Sequence, residues 1–204
     1  MPAPARPTSG RTSPTEQGVM DPARDELLDR CVSYHGHLCM GQTLGVRLAL
    51  KGMELIGASS PKEMIVFIEN DRCIADAIQI VTGTRIGRRS AKLIDVGKMA
   101  ATFLHTETGL AYRVNVRHVD PHAQDDADPC RAVLHVPDAK LLAWRRVHVE
   151  LKPQELPGKP QRTVPCARCG EKVFDGKDVE SADGPVCRSC AEGTYFRELT
   201  QEEG

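Results

Sequence analysis

The stretch YHGHLCMGQTLGVRLALKGMELIG, Tyr34 to Gly57, decides how this chain folds. Leu44, Val46, Leu48, Met53, Leu55 and Ile56 recur at the spacing of a helix with a broad apolar face, and Gly57 supplies its stop. The run His35-Gly-His-Leu-Cys39 therefore falls at a helix N-terminus. Upstream, Asp21-Pro22 opens an earlier helix running to about Val32, since Asp is a good N-cap and Pro is tolerated at the first helical position. Downstream, Met64 to Ile68 is a short continuous apolar run that favours a buried strand over a five-residue helix. It leads through Glu69-Asn-Asp-Arg-Cys73 into Ala77, Ile78 and Val81, a second helix starting just after Asn70 or Asp71 and ending at Gly83.

Further along, Ala91–Asp95, Met99–Thr106 and Ala111–Arg117 read as strands, the last two joined as a hairpin through Thr108-Gly109. His118 to Pro129 is an acidic loop. Asp138 caps a short helix through Trp144, and Val147 to Leu151 alternates like a strand. The fold class is α+β, with helices packed on a mainly antiparallel sheet. Met1 to Met20, with four prolines and no periodicity, reads as a disordered leader, and four prolines between Pro153 and Pro165 mark a linker. The division is thus 1–20 leader, 21–152 core domain, 153–165 linker and 166–204 a small metal module.

That module carries Cys166-Ala-Arg-Cys169-Gly and Cys187-Arg-Ser-Cys190, two thiolate knuckles of the kind that hold tetrahedral Zn²⁺ in ribbons and treble clefs. A segment of this size with few large apolar groups needs the metal to fold, which makes the zinc structural. From Cys166 onward the chain has five basic and nine acidic residues, a surface that repels phosphate. The whole chain is balanced too, with 27 basic and 28 acidic side chains, and has no apolar run near membrane-spanning length. Nucleic-acid and membrane partners are therefore not expected. Eight cysteines, half of them in Cys-x-x-Cys pairs, and no recognisable signal peptide point to reduced thiols in a cytoplasm.

The second concentration of chemistry is His35, His37 and Cys39, two residues apart, with Gly36 letting the backbone bend so that imidazoles and thiol converge. Extended spacing puts all three on one side, and a position in the first helical turn would favour the thiolate of Cys39 through the helix dipole. The bland reading has the histidines capping backbone groups and Cys39 filling core. Cys73 opens a helix after a strand end, with Asn70, Asp71 and Asp76 close in sequence. It serves either as ligand or as core, and Asn70 or Asp71 either as ligand or as N-cap. Arg85, Arg88 and Arg89 sit in a glycine-bearing loop, an anion clamp or a solvated turn. Cys31, Cys130, His118 and His122 read as structural or surface residues.

Tyr34-His-Gly-His-Leu-Cys-Met-Gly41, Glu69-Asn-Asp-Arg-Cys73, Asp76-Ala-Ile-Gln79, Val81-Thr-Gly83 and Gly97-Lys98, followed by the C-terminal cysteines, resemble the FmdE family, named for a component of formylmethanofuran dehydrogenase, over roughly Asp25 to Cys190. The resemblance implies an α+β core followed by a zinc finger, commonly an intertwined homodimer, in proteins associated with a molybdenum or tungsten oxidoreductase. The family's His-x-Cys and Asn-Asp-x-Cys signatures map onto His37, Cys39, Asn70, Asp71 and Cys73, with His35 beside them. His37, Cys39 and Cys73 thus form a candidate site for a second Zn²⁺ or another thiophilic metal. Where relatives often have Cys after the Thr-Gly, this chain has Thr84, and Met40 replaces a frequent Pro. The resemblance implies a metal-binding accessory or subunit protein. The alternatives are an enzyme using Cys39 as nucleophile or redox thiol with His35 or His37 as base, and, on weaker grounds of charge, a zinc-finger regulator.

Overall fold

A computed structural model describes residues 22–117 and 128–199. The expected leader, the N-cap at Asp21, and His118 and His122 lie outside the described residues. Two long helices come first, α1 (Pro22–His35) and α2 (Met40–Ile56). Then follow β1 (Met64–Ile68), α3 (Cys73–Thr82), β2 (Ala91–Leu93), β3 (Ala100–His105) and β4 (Ala111–Val116). Short helices α4 (Pro129–Leu134) and α5 (Asp138–Leu141) lead into β5 (Leu142–Val147). The sheet order is β2-β1-β3-β4-β5, every pair antiparallel except β1 with β2.

Helix α2 is central. Its run from Gln42 to Ala49 is buried on every side, because Leu44 and Leu48 pack on Val66, Phe103 and Val114 of the sheet while Val46 meets Leu28 and Cys31 of α1. A helix enclosed this way cannot carry bulk on its close-packed side. A Cβ at Gly52 would sit 2.3 Å from the Phe103 ring, and one at Gly45 would sit 2.5 Å from Ala77 Cβ. Arg47 is the one charged residue in that buried run; its guanidinium donates to the carbonyls of Val133 and Leu134 and meets Asp138 Oδ1 at 2.5 Å. Burial holds its pKa down against the pull of Asp138, and every hydrogen bond it gains offsets part of the cost of desolvating it. Helix α2 ends as its sequence requires, with Gly57 at φ +69° closing onto the carbonyls of Glu54 and Met53.

The sequence reading goes wrong after Pro137. Helix α5 stops at Leu141, and Trp144 lies in β5, paired with Val114, while Val147 ends the strand instead of beginning one. Tertiary pairing overrides local propensity here: β4 needs an outer partner for its backbone, and Trp144 covers the Lys51 ammonium, 4.6 Å from the ring centroid. The expected linker contains a short 3-10 turn at Pro153–Glu155 and β6 (Thr163–Pro165), which pairs with β7 (Lys172–Phe174). The cysteine-bearing end is completed by the hairpin β8 (Val179–Ser181) and β9 (Gly184–Val186) and by α6 (Arg188–Glu192). Among the described residues no helix is long and apolar enough to cross a membrane.

Candidate metal centre

His35 is the last residue of α1, Gly36 turns the chain at φ +95°, and Cys39 is the N-cap of α2 in extended backbone. The convergence of the three side chains thus comes from a helix end, a left-handed glycine and a helix start, not from a continuous extended run. One ligand atom each from His35, His37 and Cys39 lies within 4.8 Å of the others, and the two imidazole rings are 4.7 Å apart. Both histidines face the site, so the choice between them that the sequence left open is not an exclusive one.

His35 is the better defined. Its Nδ1 donates to Asp76 Oδ2 at 2.8 Å, which leaves Nε2 as a lone-pair acceptor. That Nε2 is buried and has no hydrogen-bond partner. A carboxylate on one ring nitrogen with the other nitrogen unpaired is the arrangement that orients a histidine toward a metal. Donor chemistry fits as well: two imidazoles and thiols suit Zn²⁺ or another thiophilic transition metal.

Cys73 begins α3 and reaches the same place because α2 has no side chain at Gly41. A Cβ there would lie 2.8 Å from Cys73 Cβ and 3.7 Å from its Sγ. Burial first, and then the neighbouring Cys39 thiol, hold the Cys73 thiol above the usual cysteine range. Cys73 is not among the three whose ligand atoms all lie within 4.8 Å, but it adjoins Cys39, and Gln42 Nε2 donates to its carbonyl at 2.7 Å. Neither α2 nor α3 has a side-chain cap hydrogen bond at its N-terminus, so two positive helix ends meet at this pair of sulfurs.

Other expected ligands are placed elsewhere. Asn70 donates to Lys98 O and to Met99 Sδ and accepts from Arg72 N, so it builds the turn into α3. Asp71 is exposed. Thr84 is buried beyond the C-terminus of α3, bonded to Thr82 Oγ1 at 2.7 Å. It is about one ten-residue helix, roughly 15 Å, from Cys73, so a thiol at that position would not join this site. The three loop arginines separate: Arg85 and Arg88 are exposed, and Arg88 borders a cleft with Lys62, whereas Arg89 is committed to Asp175 and the Gln154 carbonyl. Sequence reading missed Asp76 as the histidine's partner, although it lies one helical turn after Cys73, and it missed Cys130. The Cys130 thiol is held up by burial, by Asp128 and by Cys39, which puts it within electrostatic reach of the site.

At the other end of the chain, Cys166, Cys169, Cys187 and Cys190 bring their sulfurs within 4.8 Å of one another, with Cys169 and Cys187 3.9 Å apart. A tetrahedron with metal–sulfur bonds of about 2.3 Å has edges of roughly 3.8 Å, so the cluster fits a zinc ion. Backbone amides aim at the sulfurs, Cys187 N at Cys166 Sγ and Cys190 N at Cys187 Sγ. The amides of Cys169 and then Cys187 pull the Cys166 thiol down to about 6, while the Cys187 thiol pushes Cys190 up to about 12.

Residues 34–143 match the family described as FmdE, molybdenum formylmethanofuran dehydrogenase operon. The chain belongs to the FmdE family. A crystal structure of a tungsten formylmethanofuran dehydrogenase FmdE-like protein from Syntrophus aciditrophicus superposes with a TM-score of 0.61 at 20% identity, covering 85% of this chain and 95% of that one. At that identity the likeness is one of fold. A protein of Archaeoglobus fulgidus described as a probable S-adenosyl-L-methionine-binding protein is 28% identical over 200 residues, 83% of this chain and 53% of the relative. The FmdE chain spans about half the length of that curated relative. The matched segment of the family contains His35, His37, Cys39, Cys73 and Asp76, and leaves the four C-terminal cysteines outside it.

Proposed function

We propose that this FmdE protein is a cytoplasmic metal-binding accessory or subunit protein for a molybdenum or tungsten oxidoreductase, active as a homodimer. It comprises a core domain over 21–152, a linker over 153–165 and a structural zinc module over 166–204. His35, His37 and Cys39 hold Zn²⁺ or another thiophilic metal in the core, with Cys73 as the adjoining thiol. The observation that carries this reading is the buried, unpartnered His35 Nε2 in a ring whose Nδ1 is fixed by Asp76. A bound metal supplies Lewis acidity or a carriage point for a thiophilic group. The residues themselves orient the imidazole, hold its proton on Nδ1 and keep two thiols at the positive ends of α2 and α3. Family membership supports the link to formylmethanofuran dehydrogenase.

The test is metal content per chain by plasma mass spectrometry on protein purified without chelators. Parent protein is expected to carry two metals and Cys39→Ala one, with Asp76→Asn lowering core affinity by about 10- to 100-fold. Full metal content in Cys39→Ala would sink the assignment.

A second reading has its own support. Cys39, His35 and Asp76 stand in the order thiol, imidazole, carboxylate, the arrangement by which a base oriented by a third group activates a nucleophile. Metal-stripped protein then alkylates rapidly at Cys39 with iodoacetamide at pH 7, and His35→Ala slows that reaction. Slow alkylation in the stripped parent rules out the thiol enzyme and leaves the metal reading in place.

A further inference from the structure

The sheet has a second face. In β4, Val114 packs into the core with α2, so Arg113 and Asn115 project from the side turned away from the helices, and in β5 Arg145 lies directly opposite Arg113. Two arginines opposed across an antiparallel pair repel each other. Glu69 answers only one of them: its carboxylate takes Arg113 Nε at 2.6 Å and Nη2 at 2.7 Å, while Arg113 Nη1 reaches Asn115 Oδ1 at 3.3 Å. Arg145 and Lys98 have no ion-pair partner among the described residues. All three cations line one open cavity of about 480 Å³, together with Met99, Ala100, Asn115 and Val116. That volume lies within the range of small-molecule sites.

The local rule that like charges are not placed opposite each other is therefore broken at a pocket, in a sheet whose other cross-strand partners of β4 and β5 obey it. Such departures are retained where a ligand supplies the missing charge. We propose that this pocket is an oxyanion site, in which Lys98 and Arg145 bind a carboxylate- or phosphate-bearing small molecule against a wall set by the Glu69-fixed Arg113. Arg113 supplies shape, since Glu69 fixes its guanidinium and offsets part of its charge. Lys98 and Arg145 supply the net attraction. The pocket is joined to the turn that carries Cys73, because Asn70 Nδ2 donates to the carbonyl of Lys98. The assignment does not depend on the metal reading, and it holds whether or not the core binds an ion.

The experiment is calorimetric titration of the purified full chain, zinc-loaded and in low-salt buffer, with inorganic phosphate and separately with citrate. The parent, Lys98→Gln and Arg145→Gln are compared with Arg146→Gln, which removes the same charge from the opposite face of the same strand. We expect saturable binding of at least one anion to the parent, roughly fivefold weaker in each of Lys98→Gln and Arg145→Gln and unchanged in Arg146→Gln. Preference between phosphate and citrate tells which head group the site takes. Without anion, Arg145→Gln is expected to melt no lower than the parent, since it relieves the repulsion with Arg113, and added anion should raise the Tm of the parent more than that of the variant. Failure of both anions to bind, equal affinity in all four proteins, or a lower Tm for ligand-free Arg145→Gln overturns the proposal.

Discussion

Cys31 and Cys39 flank the turn between α1 and α2, and their environments separate them completely. Cys31 is buried, its Sγ 3.9 Å from the carbonyl of Ala77, and burial pushes its thiol up to about 11. The folded pKa lies above the unfolded one of about 8.5, so the contribution of the neutral thiol to stability is present in full below the unfolded value and is lost as pH rises through 11. At pH 8 only about one molecule in a thousand carries the Cys31 thiolate. Native protein treated with iodoacetamide at pH 8 is therefore expected to leave the Cys31 peptide unmodified by mass spectrometry while denatured protein is labelled there; equal labelling in both would remove Cys31 from the core. The sequence singled out Cys39, in a histidine-rich turn, but left Cys31 as either structural or surface; its place in the core comes from the packing of α1. What the sequence could not show was Asp76. A carboxylate 41 residues away becomes a histidine's partner only through the packing of α3 on α1.

That packing is a property of elements, and it turns on small residues. Helix α2 presents Gly41 and Gly45 one turn apart, and α3 presents Cys73 and Ala77 at the same spacing, so the helices cross closely enough that neither glycine can gain a methyl group without displacing its neighbour. Gly41→Ala is expected to cost about 1–3 kcal/mol in chemical denaturation and to move Cys73 away from Cys39, lowering core metal content while the C-terminal zinc stays bound. An unchanged melting curve with two metals retained would show that Cys73 shifts without consequence. The elements up to β4 were legible because apolar periodicity and glycine stops coincide there. Around Trp144 they do not: Asp138 to Arg146 has helical propensity, and only the unmet backbone of β4 makes half of it a strand. The glycines of α2 could be read as poor helix formers, but their purpose was not visible until α3 lay against them.

At the scale of the whole molecule, the cysteine-bearing end is fastened to the core. Arg89 pairs with Asp175 and with the Gln154 carbonyl, and Lys92 Nζ donates to Glu155 O at 2.7 Å, so one loop of the core and the strand β2 that follows it grip both the segment after Pro153 and the turn after β7. Proline content alone marked that segment as a spacer, and spacing was all that composition could report; an arginine that closes across it has no local signature. Arg89→Ala is expected to speed cleavage after Glu155 by a glutamate-specific protease severalfold while zinc content and the melting of the core stay unchanged. Cleavage at the parental rate would mean that the fastening contributes nothing in solution. On the metal reading proposed above, the two sites also differ in what they need from the rest of the chain. His35, His37 and Cys39 lie close together in sequence, but the carboxylate that orients His35 and the adjoining Cys73 thiol come from α3, beyond α2 and β1, whereas Cys166, Cys169, Cys187 and Cys190 all lie within the C-terminal end. During biosynthesis the first set has no shape to offer until β1 and α3 have been made and packed, so its metal is captured by a finished fold. The second set gathers its ion as the act of folding itself. Scarcity of metal in the cell thus reaches this protein at two separate moments, once as an empty seat in a completed core and once as a tail that never forms.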